Sequence, residues 1–144
     1  MSQYCTFVLD GHLFGDGQPC FGCGPDNPRG LRLEFLRDGD AVVSHTSLGL
    51  EYAGYRDFVH GGVIAAILDE AMGWALLHLR GRYGVTRSLT VDYRRPLRVA
   101  SPLTVRAGID RFLELTGIDE LMVTSHVYDH EARKRSFEIV AQVR

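Results

Sequence analysis

The chain has 144 residues, of which 45% are apolar and 24% charged, a composition typical of a globular domain and unlike that of disordered or collagen-like chains. Sixteen basic and eighteen acidic residues give a formal net charge of -2, which provides no overall attraction to nucleic acid or to an anionic membrane. No basic segment followed by an apolar run opens the chain, so we expect no signal peptide and a cytoplasmic location. We expect a single domain over residues 1–144.

Residues 1–30 are rich in Gly, Pro, Asp and Asn and predict an irregular lead-in. The segment contains one C-x-x-C pair, Cys20 and Cys23, and the odd number of cysteines does not fit a secreted disulfide framework. A four-ligand zinc site would need two more ligands, and only Cys5 and His12 lie nearby in sequence. We therefore favour small residues in a turn-rich segment over metal or redox chemistry, and expect neither a metal nor a cofactor.

Two strands and a helix follow the lead-in. Apolar and charged residues alternate over 31–35, the turn residues Arg-Asp-Gly-Asp occupy 37–40, and AVVSHTSL follows at 41–48, which predicts a β-hairpin. A glycine-rich loop is expected over 48–61. The apolar run from 62 to about 80 is interrupted by two acids and predicts one long buried helix better than a membrane span.

Four further segments alternate with the period of a strand and lie at 86–97, 103–112, 119–130 and 135–143. The order is strand, strand, long helix and four strands, which lacks the alternation of strands and helices that a parallel sheet requires. We predict an α+β protein in which an antiparallel sheet of five or six strands wraps around one long central helix. That helix is apolar nearly all round, and one sheet cannot cover every side, so we expect a second subunit on the uncovered side.

Two adjacent acids, Asp69 and Glu70, lie in the middle of this apolar helix. The residues one turn from Asp69 are small or apolar and provide no cation. An unpaired buried carboxylate is costly, which makes these acids functional candidates, although a solvent-facing helix edge would also explain them. Periodicity alone indicates that one acid faces a cleft and the other a polar network, without deciding which.

The helix begins at His60-Gly61-Gly62, where the first backbone N–H groups are unpaired and two glycines allow a ligand oxygen to approach closely. Such groups can stabilise the oxyanion of an acyl-transfer reaction, while the alternative is a simple glycine-rich turn. Gly62 and Asp69 are seven residues apart, roughly 10 Å along a helix, which is too far for one small carbonyl. A two-fold axis that sets two helices antiparallel would bring the start of one beside the middle of the other.

In its CFGCGPDNPRGLRLEF, VHGGVIAAILDEAMGWA and VTRSLTVDYRRPL segments the chain resembles the hotdog-fold acyl-CoA thioesterases, in particular the PaaI-like branch with the Them-type enzymes. The pattern HGG-x6-D followed by a strand ending in Y-x-R-P carries the resemblance. It implies a dimer, often a tetramer, that hydrolyses acyl-CoA thioesters without a metal. The expected partners are thus an acyl-CoA substrate and further copies of the chain, with no nucleic acid and no membrane.

The resemblance also implies roles for individual residues. The family acid falls nine residues after the histidine and selects Asp69 as general base or nucleophile, with Glu70 as second choice. The N–H of Gly61, with Gly62 beside it, is expected to polarise the thioester carbonyl, and His60 to orient the loop or the carbonyl. A Ser or Thr at the start of the next strand often assists. The remaining candidates are Thr86 for that assisting role with Ser88 as the alternative, and Arg94 and Arg95 for the CoA phosphates.

One departure from the family pattern is Gly54, which stands where many relatives have an Asn six residues before the histidine. An amide that would help to place substrate or water is therefore missing. A non-catalytic hotdog protein that binds acyl-CoA or another hydrophobic ligand is the alternative function. A hotdog dehydratase or hydratase fits less well, because the His and acid spacing expected there differs from this HGG segment. The sequence does not identify the acyl group.

Overall fold

A computed structural model describes residues 8–9, 17–109 and 123–128, with side chains over 17–109. Within these ranges the main sheet consists of β1 Val8–Leu9, β2 Phe35–Asp38, β3 Ala41–Thr46, β6 Leu103–Ile109 and β7 Val123–Tyr128. These five strands are antiparallel and lie in the order β1-β2-β3-β6-β7. Two short strands, β4 Ala53–Tyr55 and β5 Phe58–Val59, form a separate hairpin, and one helix, α1, spans Gly61–Arg80. The predicted antiparallel sheet on one long helix is confirmed.

The β2–β3 hairpin lies where the sequence predicts it, but its first strand is shorter than expected. Asp38 pairs with Ala41 across a two-residue turn in which Gly39 has φ 60°. Arg32 has φ 49°, which lies outside the extended region, so the extended conformation is interrupted there and the strand starts only at Phe35. Leu31 and Leu33 are nevertheless buried, as the alternation indicated, so they belong to the core without belonging to the ladder.

The predicted strand over 86–97 is wrong for this chain. Within the described ranges no strand pairs with these residues, and the one isolated bridge in this region joins Phe58 to Arg98. Leu89 and Tyr93 are 36% and 56% exposed, so the apolar face of the alternating pattern lies at the surface. Alternation of apolar and polar residues indicates an apolar face that is able to pack. In this segment no part of the described chain covers that apolar face.

The two strands predicted after this segment are present where the structure describes them. β6 and β7 pair antiparallel, with Val105 opposite Val127, and β6 also pairs with β3. The last predicted strand, over 135–143, lies outside the described residues. The predicted loop over 48–61 contains a short 3-10 turn at Leu50–Tyr52 and the β4–β5 hairpin.

Helix α1 is the core helix of the sheet. Ile67, Ala71 and Ala75 have no exposed surface and pack with Phe35, Val42 and Val105 of the sheet in one hydrophobic cluster. By length and composition the helix is long and apolar enough to cross a bilayer, but its packing against the sheet explains this apolar composition. It ends where Gly81 adopts φ 63° and donates its N–H to Leu77 O.

Trp74 joins the helix to the sheet and to the helix's own last turn. Its ring stacks on Phe35 at 5.9 Å and on His78 at 5.2 Å between centroids. Burial lowers the pKa of His78, and the positive charge of Arg37 lowers it further. The histidine therefore packs as a neutral ring.

Candidate active site

Both helix acids line one cavity of about 380 Å³. Its floor is the helix and its opposite wall is the segment that follows the helix. The lining residues are Asp69, Glu70, Gly73, Trp74, Leu77, Tyr83, Gly84, Val85 and Thr86. Adjacent residues on α1 thus both reach the rim of the same opening, and Glu70 in addition faces the polar side chains of Cys20 and Trp74.

Asp69 is half-buried and accepts a hydrogen bond at Oδ1 from the Thr86 hydroxyl. The two residues are 17 positions apart in sequence and meet because the chain turns back along the helix after Gly81. No basic side chain of residues 17–109 forms an ion pair with Asp69. The carboxylate is thus held by a neutral donor at a cavity wall, with its second oxygen able to engage another group.

Glu70 faces a different set of donors. Trp74 Nε1 donates to Glu70 Oε1 at 3.0 Å, and the Cys20 thiol donates to Oε2 at 3.4 Å. The Trp74 bond is between residues four apart on α1, where side chains share a face. The second bond ties the N-terminal segment to the middle of the helix.

Cys23 lies in the same group. Burial raises the pKa of the Cys23 thiol, and the neighbouring Glu70 carboxylate raises it further. Cys23 is therefore a neutral thiol at neutral pH in this arrangement. Sequence reasoning placed Cys20 and Cys23 in a turn, but did not place that turn beside Glu70.

His60 is the N-cap of α1, and its Nδ1 accepts the backbone N–H of Gly62 at 2.9 Å. This bond corrects the expected role of Gly62, because its N–H already has an acceptor. No acceptor among the described residues contacts the N–H of Gly61, the glycine directly after the histidine. Gly61 is therefore the helix-end amide that remains for a ligand oxygen.

Gly54 packs directly beneath this corner. A Cβ at Gly54 would lie 2.9 Å from His60 Cα and 3.0 Å from His60 Cδ2. The neighbour includes backbone, so a larger residue would push the His60 corner away. The observed position of His60 therefore depends on a residue without a side chain at position 54, and an Asn there would displace it.

The segment after the helix contacts the helix start through Tyr93, whose hydroxyl donates to Gly61 O at 2.8 Å. Sequence reasoning missed this residue as a site component, although the Y-x-R-P motif contained it. The other candidates of this segment, Ser88, Arg94 and Arg95, are exposed, and none of them forms an ion pair with a residue of the described chain. The structure does not bring these three to Asp69.

Trp74 is a second residue that sequence reasoning missed. Its spacing of four from Glu70 was a usable signal, because an indole N–H in a helix core needs an acceptor. The distance between the helix start and Asp69 is that expected from the sequence, since both lie on one continuous α-helix. One chain therefore does not place the Gly61 amide beside its own Asp69.

Comparisons with known proteins identify similar sequences and similar folds. Residues 57–112 match the family model of the thioesterase superfamily. A crystal structure of a thioesterase superfamily protein is similar with a TM-score of 0.69 and 24% identity, covering 90% of this chain and 63% of that one. Zebra fish thioesterase superfamily member 2 is similar with a TM-score of 0.62 and 17% identity, covering 84% of this chain and 82% of that one.

Two curated relatives are similar only locally. An uncharacterized protein of Bacillus subtilis strain 168, YvbT, is 44% identical over 45 residues, which are 31% of this chain and 13% of that protein. A luciferase-like monooxygenase of Escherichia coli K12 is 35% identical over 63 residues, 44% of this chain and 17% of that protein. The chain thus spans less than a fifth of either relative.

The sheet and the central helix form the hotdog fold of these thioesterase superfamily structures, and residues 57–112 match the model of that superfamily. The matched segment contains the His60 corner, both helix acids and Thr86. The resemblance predicted from sequence is confirmed at the level of the superfamily and its fold.

Proposed function

We propose that the protein hydrolyses an acyl-CoA or aryl-CoA thioester to the free acid and CoA, with Asp69 acting at the thioester carbonyl. The observation that carries the proposal is the position of Asp69: it lines a cavity, it is held by the Thr86 hydroxyl, and it lies in the segment matched by the thioesterase superfamily model. Both residues were selected from the sequence for this reaction.

The lining of the cavity supports the proposal that the acyl group of the substrate, and not the CoA part, enters it. Its volume of about 380 Å³ falls in the range typical of small-molecule sites. Trp74 and Leu77 supply apolar wall, while the two acids are the charged groups of the lining. The apolar chain would lie along the helix with its carbonyl at Asp69.

In the general-base route, Asp69 takes a proton from water as the water oxygen bonds to the carbonyl carbon. The electron pair of the C=O bond moves to oxygen and forms a tetrahedral oxyanion, which a backbone N–H stabilises. The C–S bond then breaks, the carbonyl re-forms, and the departing thiolate takes up the proton as free CoA. Thr86 holds the Asp69 carboxylate in position throughout.

In the nucleophilic route, an Asp69 carboxylate oxygen bonds to the carbonyl carbon, the C–S bond breaks, and CoA leaves as a thiolate that takes a proton from water. Water then cleaves the mixed anhydride to the acid product and free Asp69. A single turnover in oxygen-18 water separates the two routes. Attack of water on the aspartyl carbon of the anhydride would leave the heavy oxygen in the protein, whereas the general-base route puts it only into the acid product.

The oxyanion donor comes from a second copy of the chain in this proposal. Gly61 and Asp69 are eight residues apart on α1, roughly 12 Å along the axis, so one chain does not present both to one carbonyl. A homodimer with antiparallel helices would form two such sites, and a homotetramer would pair two of those dimers. The exposed apolar side chains of Tyr83, Leu89 and Tyr93 supply a surface for the partner.

Arg94 and Arg95 are exposed and close to the helix start through Tyr93, which supports their assignment to the CoA phosphates. Replacing both with alanine should raise KM for the acyl-CoA with little change in kcat. An unchanged KM would remove the phosphate role and leave the rest of the proposal standing.

The direct test is thiol release from a panel of short-chain, long-chain and aromatic CoA thioesters. We expect turnover on at least one class and loss of at least a hundredfold in kcat for Asp69→Asn, since this variant keeps the shape but has no base or nucleophile. Glu34→Gln, the same change at an exposed position, is the matched control and should behave as the wild type. If the folded wild type turns over no thioester yet binds one, the protein is a ligand-binding hotdog protein and the hydrolase proposal fails.

A further inference from the structure

Three metal-ligating side chains converge beside the proposed reaction centre, on the side of Asp69 that faces the N-terminal segment. Cys20, Cys23 and Glu70 each present one donor atom, and these atoms all lie within 4.8 Å of one another. We propose that this group is a zinc site in which two thiolates and one carboxylate bind the ion. The proposal is independent of the thioesterase reaction, which assigns no role to the cysteines.

The distance between two of the donors fits zinc coordination. Zn–S bonds of about 2.3 Å and Zn–O bonds of about 2.0 Å at a tetrahedral angle put sulfur and oxygen about 3.5 Å apart. Cys20 Sγ and Glu70 Oε2 are 3.4 Å apart in the structure. Cys23 Sγ lies within 4.8 Å of both atoms, so it would have to move toward them to complete the site.

The carboxylate is already oriented toward the sulfurs. Trp74 Nε1 holds Glu70 Oε1 at 3.0 Å, which leaves Oε2 on the side of the cysteines. Metal-binding carboxylates typically have such a hydrogen bond on the oxygen that does not bind the metal. The indole N–H thus fixes the one ligand that comes from the helix.

Two buried glycines allow the cysteine turn to approach. A Cβ at Gly22 would lie 2.2 Å from Glu70 Oε2, and a Cβ at Gly24 would lie 2.4 Å from Gln18 O and 2.5 Å from Cys20 O. Gly24 N also donates to Cys20 O at 3.0 Å and closes the turn. The sequence C-F-G-C-G therefore combines two thiols with the two small residues that seat them against the helix.

The turn is also anchored to the core on its other side. Leu31 N donates to Phe21 O at 2.7 Å and Leu33 N donates to Gly22 O at 2.9 Å. Both leucines are buried, so the backbone between the two cysteines is fixed before any ion arrives. A fixed turn reduces the ordering cost of binding.

The donor set selects the ion. Thiolates are soft ligands that favour zinc and similar ions, while magnesium and calcium take oxygen ligands. Three protein ligands leave the fourth tetrahedral position to water, an arrangement that zinc accepts. Binding releases the thiol protons, so affinity should increase with pH.

The test uses the full-length protein, reduced and freed of metal under nitrogen, then titrated with Co²⁺ and back-titrated with Zn²⁺. We expect one equivalent of Co²⁺ per chain with a thiolate-to-cobalt charge-transfer band, displacement by one equivalent of Zn²⁺, and a higher Tm with zinc. A titration without that band, or a Cys20–Cys23 disulfide in protein purified under nitrogen, would overturn the proposal.

Variants then identify the ligands. Cys20→Ser and Cys23→Ser should each lose the charge-transfer band or most of its intensity, and Glu70→Gln should weaken zinc binding at least tenfold. Asp69→Asn is the matched control, because it changes the adjacent acid, which contacts Thr86 and neither cysteine. It should lose turnover and keep one zinc per chain. Full zinc binding by the cysteine variants, or its loss in Asp69→Asn, would refute the assigned ligand set.

Discussion

The His60 cap offers a test of how the helix start is held. Its Nδ1 accepts the Gly62 N–H at 2.9 Å, and the ring is exposed, so replacement by alanine removes the cap with little loss of buried apolar area. N-cap bonds of this kind contribute about 1 kcal/mol to the free energy of unfolding. In a domain of this size we expect His60→Ala to lower Tm by roughly 2–4 °C.

His60→Asn is the informative control, because Asn is among the strongest N-cap residues and its side-chain oxygen can accept the same N–H. We expect His60→Asn to remain near the wild type in urea denaturation followed by circular dichroism, and His60→Ala to unfold at lower urea with an unchanged m-value. Thiol release measured on the same samples separates the cap from chemistry: a cap role predicts that Asn restores turnover and alanine does not.

Two results would refute this reasoning. If His60→Asn is as unstable as His60→Ala, the bond to Gly62 is not what the histidine contributes to the fold. If His60→Ala unfolds like the wild type, the cap has no net value. Loss of turnover in a fully stable His60→Asn would instead assign the imidazole a direct part in the reaction.

Three further predictions follow from single contacts. Thr86→Val removes the hydroxyl that donates to Asp69, and a hydrogen bond to a charged group contributes about 1.5–3 kcal/mol. We therefore expect kcat for thiol release to fall roughly ten- to a hundredfold in Thr86→Val, while Thr86→Ser retains activity. Equal loss in both variants would contradict the hydrogen-bond role. Ile67→Ala should lower the free energy of unfolding by about 2–5 kcal/mol in urea denaturation, because the side chain is 0% exposed, whereas Val85→Ala at 98% exposure should change it little. His78 has a lowered pKa in the folded state, so the unfolded chain takes up its proton first and the free energy of unfolding should fall as pH drops below about 6.5; His78→Gln should flatten that dependence in urea titrations across pH 5 to 8.

The architecture was predictable because it depends on periodicity. The helix over Gly61–Arg80 and the buried alternation of Leu31, Leu33 and Phe35 both follow from which residues must leave water. The turn at Gly39 followed from local backbone chemistry, since glycine favours the positive φ found there. Signals of this kind are local and require no knowledge of distant contacts.

The segment 86–97 shows the limit of the same reasoning. Leu89, Val91 and Tyr93 do alternate with polar residues, and an alternating pattern predicts a strand with one buried face. A ladder also needs a neighbour, and sequence periodicity carries no information about whether the neighbour belongs to the same chain. If the second copy supplies it, the pattern was correct for the assembly and wrong for the single chain.

The cysteine turn was missed for a different reason. Cys20 and Cys23 are separated from Glu70 by about fifty residues, and no spacing rule connects a C-x-x-C pair to one acid in a helix. The sequence did contain one indication, the pair of glycines. A side chain at Gly22 would clash with Glu70, and a side chain at Gly24 would clash with the backbone of the turn. Close approach of backbone to a functional group is a recurrent reason for glycine, and it points to a neighbour without identifying it.

The two adjacent acids can now be explained by geometry. Successive residues on a helix are about 100° apart, so the side chains of Asp69 and Glu70 point in different directions from neighbouring positions on α1. Asp69 turns to Thr86 of the following segment, and Glu70 turns to Trp74 and Cys20. One short stretch of helix therefore carries a carboxylate bound to the Thr86 hydroxyl and, beside it, a carboxylate that contacts the N-terminal turn. Asp69→Asn and Glu70→Gln should accordingly fail in different assays, the first in turnover and the second in metal binding, and identical phenotypes would mean that the two acids act as one unit.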